Sequence, residues 1–279
     1  MPFLNKLHQS IQKSQSTLCV GLDPDLSLLP GPVKQQFETP EEQVAYFCKV
    51  VIDYTSEFCA AYKLNVAFFE ALGKNGLSVF GEVINHIPSD KIIIADAKRG
   101  DINSTAEHYK KTYFDQFKVD AITLNPLMGF ETLDSFSNDE NKGIYVLALT
   151  SNSGAEDFLK QPFRGFEMMS QFIADQLSKK DSFTETYYGM VIGATHPDEV
   201  SSIIKYFPNA ALLIPGIGAQ GGSIKELTKV LSEHTGIPLI SSSRGIIYAG
   251  KNEKNWPELV AKKAKETRES LSAITNKYV

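Results

Sequence analysis

Lys91-Ile92-Ile93-Ile94-Ala95-Asp96-Ala97-Lys98, continuing into Arg99-Gly100-Asp101-Ile102, is the stretch from which the fold is read. Three isoleucines and two alanines make a short apolar run of the kind that fills a parallel strand buried on both faces, and the run closes on charged residues. The same pattern recurs at Thr17 to Asp23, Ala60 to Val66, Ala121 to Asn125, Gly143 to Thr150, Gly189 to Ala194, Ala211 to Gly216 and Pro238 to Ser243, eight runs in all. Helix-length segments separate them. Glu41 to Phe58 places Val44, Phe47, Val51 and Tyr54 at helical spacing and follows Pro40, which suits a first turn. Ser104 to Phe117 and Ser223 to His234 read the same way, and an amphipathic stretch from Pro257 to about Thr275 ends the chain. Pro24 to Cys59 is longer than a minimal crossover and carries the turn signal Pro30-Gly31-Pro32, which predicts an excursion before its helix.

Eight strand-like runs joined by helical spacers predict an α/β chain folded as a single (β/α)8 TIM barrel, parallel strands inside an outer ring of helices, with an open doubly wound sheet as the alternative. The 279 residues suit one such domain over 1–279, and no Pro/Gly/Ser-rich linker divides them.

Composition narrows the function classes. With 28 Lys and Arg against 33 Asp and Glu the net charge is −5, and no basic block resembles a phosphate-backbone footprint, so nucleic acid is not expected as a partner. Cys19, Cys48 and Cys59 form no CxxC pair, and their odd number opposes a disulfide framework. The N-terminus has no signal-like apolar stretch and no run approaches the roughly 18 apolar residues of a membrane span, so a cytoplasmic protein that does not engage the membrane is expected. The five histidines lack HxH or HExxH spacing, and with no Cys pair a zinc site has little support. GxSxG, GxxxxGK[ST] and a first-strand GxGxxG are all missing, against serine hydrolases, P-loop NTPases and dinucleotide enzymes.

In a barrel of this kind the chemistry collects where the strands end. Strand alternation puts Asp96 and Lys98 on one face, with Asp101 in the loop beyond, and Lys63 near the end of the second run supplies another cation. Lys63, Asp96, Lys98 and Asp101 form a nearly neutral set able to hold a proton donor between carboxylates, or else a structural salt-bridge network. Pro215-Gly216-Ile217-Gly218-Ala219-Gln220-Gly221-Gly222 and Ser243-Arg244-Gly245 follow the seventh and eighth runs, where barrels commonly bind phosphate, and Arg244 adds a planar fork for two oxygens. Asp23 closes the first run as a sugar-hydroxyl ligand or a simple Asp-Pro-Asp turn. Thr150-Ser151-Asn152-Ser153 suits a polar ring or a helix cap. His196 reads as loop or cap chemistry.

Taken in order, Val20-Gly21-Leu22-Asp23-Pro24-Asp25, Tyr62-Lys63-Leu64-Asn65, Asp96 to Ile102, Leu149 to Asn152, Pro215 to Gly222 and Ser243-Arg244-Gly245-Ile246 resemble the orotidine 5′-phosphate decarboxylases, specifically their longer bacterial (type 2) subgroup. The resemblance runs through nearly the whole chain. It implies a TIM barrel that converts orotidine 5′-monophosphate to UMP and CO2 in pyrimidine biosynthesis without metal or cofactor. Lys98 then matches the proton donor to C6, with Lys63, Asp96 and Asp101 completing its charged tetrad. It further implies a homodimer in which Asp101 is lent across the interface, with Ile102 and Thr105 beside it. Asp23 matches the ribose ligand, Ser151 the pyrimidine contact, and Gln220 with Ser243, Arg244 and Gly245 the phosphate grip. Ser243 stands where many members have glycine.

Three rivals remain open at this point. A Mg2+-dependent sugar-phosphate decarboxylase or aldolase of the same superfamily shares the D-x-K-x-x-D element, but carries an acidic residue where this chain has Lys63. A Schiff-base aldolase needs a neutral lysine, which flanking carboxylates oppose. A non-catalytic nucleotide-phosphate binder would keep the loops without turnover.

Overall fold

A computed structural model describes residues 1–193, 197–216 and 223–279 of the chain. Its strands follow one another in chain order around a closed barrel. They are β1 Leu18–Leu22, β2 Ala61–Asn65, β3 Ile92–Arg99, β4 Ala121–Leu124, β5 Gly143–Leu149, β6 Tyr187–Ile192, β7 Ala211–Pro215 and β8 Pro238–Ser242. The apolar runs form these strands because both faces are covered: every residue of β1 and of β4 is buried. β6 begins two residues before its expected run, at Tyr187 and Tyr188, aromatic residues that favour a pleated surface. β3 runs one residue further, to Arg99. The closed ring replaces the open-sheet alternative.

The chain divides into two compact units, one made of Met1–Asn5 and Lys98–Ser241, the other of Lys6–Ala97 and Ser242–Val279. In the second, β1 pairs with β2 so that Gly21 lies opposite Lys63, and β2 pairs with β3 so that Asn65 lies opposite Asp96. The long excursion contains a short helix, Gly31–Gln36, before the expected helix at Pro40–Thr55. Thr39 starts that helix with a capping box: its hydroxyl accepts from the Glu42 N–H at 3.3 Å, and the Glu42 carboxylate accepts from the Thr39 N–H at 3.2 Å. Val44, Phe47, Cys48, Val51 and Ile52 form its buried face. Phe47 meets Trp256 at 5.5 Å between ring centres, docking the C-terminal helix Trp256–Ser270. That C-terminal stretch breaks at Leu271 and resumes as Ser272–Thr275, where the Thr275 hydroxyl accepts from the Thr17 N–H at 3.2 Å.

In the other unit β4 to β7 and the start of β8 pair in sequence order. The expected helix over Ser104 to Phe117 is Asn103–Lys110 followed by a π-helical segment, Lys111–Gln116. The helix expected from Ser223 is Ile224–Val230, with the Ser223 hydroxyl accepting from the Glu226 N–H at 3.3 Å.

A helix at Phe3–Ser14 precedes β1. Phe3, Leu7 and Ile11 fall every fourth residue and are buried, Leu7 and Ile11 completely, which is worth about 1.5–3 kcal/mol for each such side chain. Among the described residues no helix is long and apolar enough to cross a membrane.

Candidate active site

In the unit of Lys6–Ala97 and Ser242–Val279, neighbouring strands deliver three charges to one place. Lys63 of β2 donates to the Asp96 carboxylate of β3 at 2.6 Å, and Asp23, just past β1, places an oxygen 3.9 Å from the same ammonium. Both Lys63 and Asp96 side chains are only 9% exposed, so each depends on the other for its charge. Burial alone would push the Lys63 ammonium toward the neutral form; the charges of Asp96 and Asp23 and the hydrogen bond to Asp96 overcome it and raise its pKa above the ordinary lysine range. A group whose folded pKa is raised adds stability that is fully present below its unfolded value and is lost as pH climbs through the folded one. The contribution of the Lys63 ammonium is therefore fully present at neutral pH and is lost in strong alkali. Lys63→Ala strands two carboxylates, one of them buried; equilibrium denaturation at pH 7.5 should show a loss of about 3–5 kcal/mol, and protonating conditions should recover part of it.

Ser243, Arg244 and Gly245 open the short helix Arg244–Ile247, whose N–H groups at Ile246 and Ile247 donate to the Ser243 carbonyl at 2.8 and 3.0 Å. Arg244 and Gly245 are exposed, and the Arg244 guanidinium makes no ion pair among the described residues. The Ser243 hydroxyl oxygen is buried with no hydrogen-bond partner among the described residues. Gly21 makes room for it: a Cβ there would meet the Ser243 Cβ at 2.7 Å. The helix ends at Tyr248, whose hydroxyl donates to the Asp23 carbonyl at 2.8 Å and accepts from the Asp25 N–H at 2.6 Å.

In the unit of Met1–Asn5 and Lys98–Ser241, Lys98 is exposed at the end of β3, and its backbone has a φ of +48°. Plain strand alternation therefore stops there, which the sequence did not signal. The Lys98 N–H donates to the Thr123 hydroxyl of β4 at 2.9 Å, anchoring this conformation. Asp101 is half-buried and its carboxylate accepts from the Ile102 N–H at 2.8 Å, while Ile102 and Thr105 are exposed. Gly100 lies tight against the Asn125 backbone, where a Cβ would stand 2.3 Å from the carbonyl oxygen. Ser151, half-buried beyond β5, backs onto Gly193 and makes no capping bond to the short helix Ser153–Asp157, so the cap reading fails. A cavity of about 600 Å³ lies alongside, lined by Asn125, Phe130, Leu147, Thr150, Phe158 and Phe172 among others. Its walls suit a planar or apolar group.

Gln220, with the rest of 217–222, and His196 lie outside the described residues. Sequence reasoning missed Tyr248, whose signal was its place four residues after Arg244, and the approach of Asp23 to Lys63. Among the described residues no group of three His, Cys, Asp or Glu is arranged to hold a metal ion. The Lys63 ammonium lies within 3.9 Å of Asp23 and 2.6 Å of Asp96, a positive charge that opposes a divalent cation beside those carboxylates.

Residues 16–259 match the family described as orotidine 5′-phosphate decarboxylase / HUMPS. Orotidine 5′-phosphate decarboxylase of Dehalococcoides mccartyi (strain BAV1) is 36% identical over 283 residues, covering 100% of both chains. The Flavobacterium johnsoniae enzyme of the same name is 39% identical, covering 96% of this chain and 97% of its own. The structure of Leishmania donovani OMP decarboxylase superposes with a TM-score of 0.83 at 32% identity, over 99% of each chain. The barrel, the lysine held between carboxylates and these full-length matches lead to one statement: the chain belongs to the orotidine 5′-phosphate decarboxylase / HUMPS family.

Proposed function

We propose that this chain, as one catalytic domain over 1–279, decarboxylates orotidine 5′-monophosphate to UMP and CO2, the last step of de novo UMP synthesis, without metal or cofactor. The observation that carries the reading is the buried Lys63–Asp96 pair with Asp23 beside it, because a lysine there serves a charge-relay site and opposes the divalent metal that the sugar-phosphate rivals need.

Breaking the bond from C6 to the carboxylate leaves the electron pair in an in-plane orbital that the ring π-system cannot delocalise. Stabilisation must then come from fixed charge in a water-poor site. The Lys98 ammonium supplies it and passes a proton to C6, and a proton from water restores the ammonium. Asp96, paired with Lys63, faces the departing carboxylate. Asp101 of a second subunit completes the tetrad, with Ile102 and Thr105 beside it. Asp23 holds the ribose, Ser151 the pyrimidine, and Ser243, Arg244, Gly245 and Gln220 the phosphate. Binding energy from the phosphate, far from C6, orders the site for chemistry.

A homodimer is supported by the exposed apolar side chains of Ile102, Leu127 and Met128, 41%, 73% and 54% exposed, which invite cover. Three buried free thiols support a cytoplasmic setting.

Loss of orotidine 5′-monophosphate absorbance on adding purified protein tests the reading. Rapid conversion, unchanged by EDTA, is expected. No conversion by a folded dimer, or turnover only with added Mg2+, would overturn it.

A further inference from the structure

We infer that Tyr248 is a positioning residue that sets the carboxylate of Asp23 against Lys63 and ties that carboxylate to the segment bearing Arg244; this rests on the decarboxylase reading. Pro24 has no N–H, so the exit from β1 offers the backbone carbonyl of Asp23 and the N–H of Asp25 as polar groups needing partners. One phenolic oxygen serves both, donating to the carbonyl at 2.8 Å and accepting from the N–H at 2.6 Å. That closes a clasp across the Asp23-Pro24-Asp25 turn from a residue 225 positions away in sequence.

The ring is held as firmly as the hydroxyl. It lies parallel to Phe47, with centroids 5.6 Å apart and planes 10° from coplanar, and Phe47 itself is fully buried on the helix Pro40–Thr55. Burial keeps the phenol protonated well beyond the ordinary tyrosine range, so the donor persists at every working pH. On the other side the Tyr248 N–H donates to the Arg244 carbonyl at 3.4 Å, one helical turn back. Arg244, exposed for an anion, and Asp23, 3.9 Å from the Lys63 ammonium, are thus joined through one side chain and one turn. A shift of the Arg244 segment on binding phosphate would be felt by Asp23 through this clasp, and Asp25 is separately braced by the Ser27 N–H and hydroxyl at 2.8 and 2.6 Å.

The test is a double-mutant cycle on the intact enzyme with orotidine 5′-monophosphate as substrate. Tyr248→Phe keeps the stacked ring and removes the hydroxyl. It should lower kcat/KM about tenfold while moving the thermal midpoint by no more than a few degrees. In an Asp23→Ala background the same change should cost less than twofold, because its effect passes through Asp23. Equal penalties in both backgrounds would overturn the inference by showing a general structural role, as would an unaltered kcat/KM in Tyr248→Phe. If Tyr248→Phe does not fold, Phe47→Leu, which loosens the ring and leaves the hydroxyl, takes its place in the cycle with the same two readings. An inactive wild-type enzyme would instead sink the decarboxylase reading, and this inference with it.

Discussion

Lys98→Ala is expected to fold, to dimerise and to lose at least about 10^4-fold in kcat. Two contributions disappear together: the ammonium beside the carbanion, comparable to losing an electrostatic donor worth about 10^2–10^3, and proton delivery, worth about 10^2–10^4. The side chain is exposed, so its removal should leave stability within about 0.5 kcal/mol. Lys98→Arg should be nearly as inactive, because a guanidinium keeps the charge but does not give up its proton. Steady-state turnover and thermal midpoints on the same preparations check both statements. A fall of less than tenfold in either variant would remove Lys98 from the centre of the chemistry.

Mixing experiments should produce the second large effect. Asp101→Ala and Lys98→Ala are each expected to be almost inactive alone. Let their subunits exchange in equal amounts, and half of the dimers are hybrids in which one of the two sites has both an intact Lys98 and an intact Asp101. Activity should then rise from near zero to about a quarter of the wild-type value. The position of Asp101 suits this lending: it is half-buried in a loop, its carboxylate is oriented by the Ile102 N–H, and Ile102 beside it is left exposed. Recovery would fail if Asp101 served its own subunit, since each hybrid site would then lack one group or the other.

The strands were legible because a parallel barrel buries both faces of each one, so the apolar runs at Leu18–Leu22 or Ile92–Arg99 needed no knowledge of neighbours. Lys63 and Asp96 were legible as partners because a charge inside such a run must be paired. The approach of Asp23 to Lys63, and the clasp from Tyr248, depend on contacts across up to 225 residues, and no local pattern encodes them. The helix Phe3–Ser14 was hidden by its composition: Asn5, Lys6, His8, Gln9, Gln12 and Lys13 dilute a narrow stripe that only the barrel makes sense of. The turn of the backbone at Lys98 was hidden for another reason. Left-handed conformations are announced by glycine or asparagine, and lysine announces nothing.

That backbone bears on anyone who would improve this protein. Holding an L residue at φ +48° costs about 1 kcal/mol that glycine at the same place would not spend. A screen that rewards survival of heat alone would therefore drift toward Lys98→Gly and collect sturdy, inert barrels. The residue proposed to carry the chemistry is also among the easiest to discard, so directed evolution here needs turnover selected in every round alongside endurance.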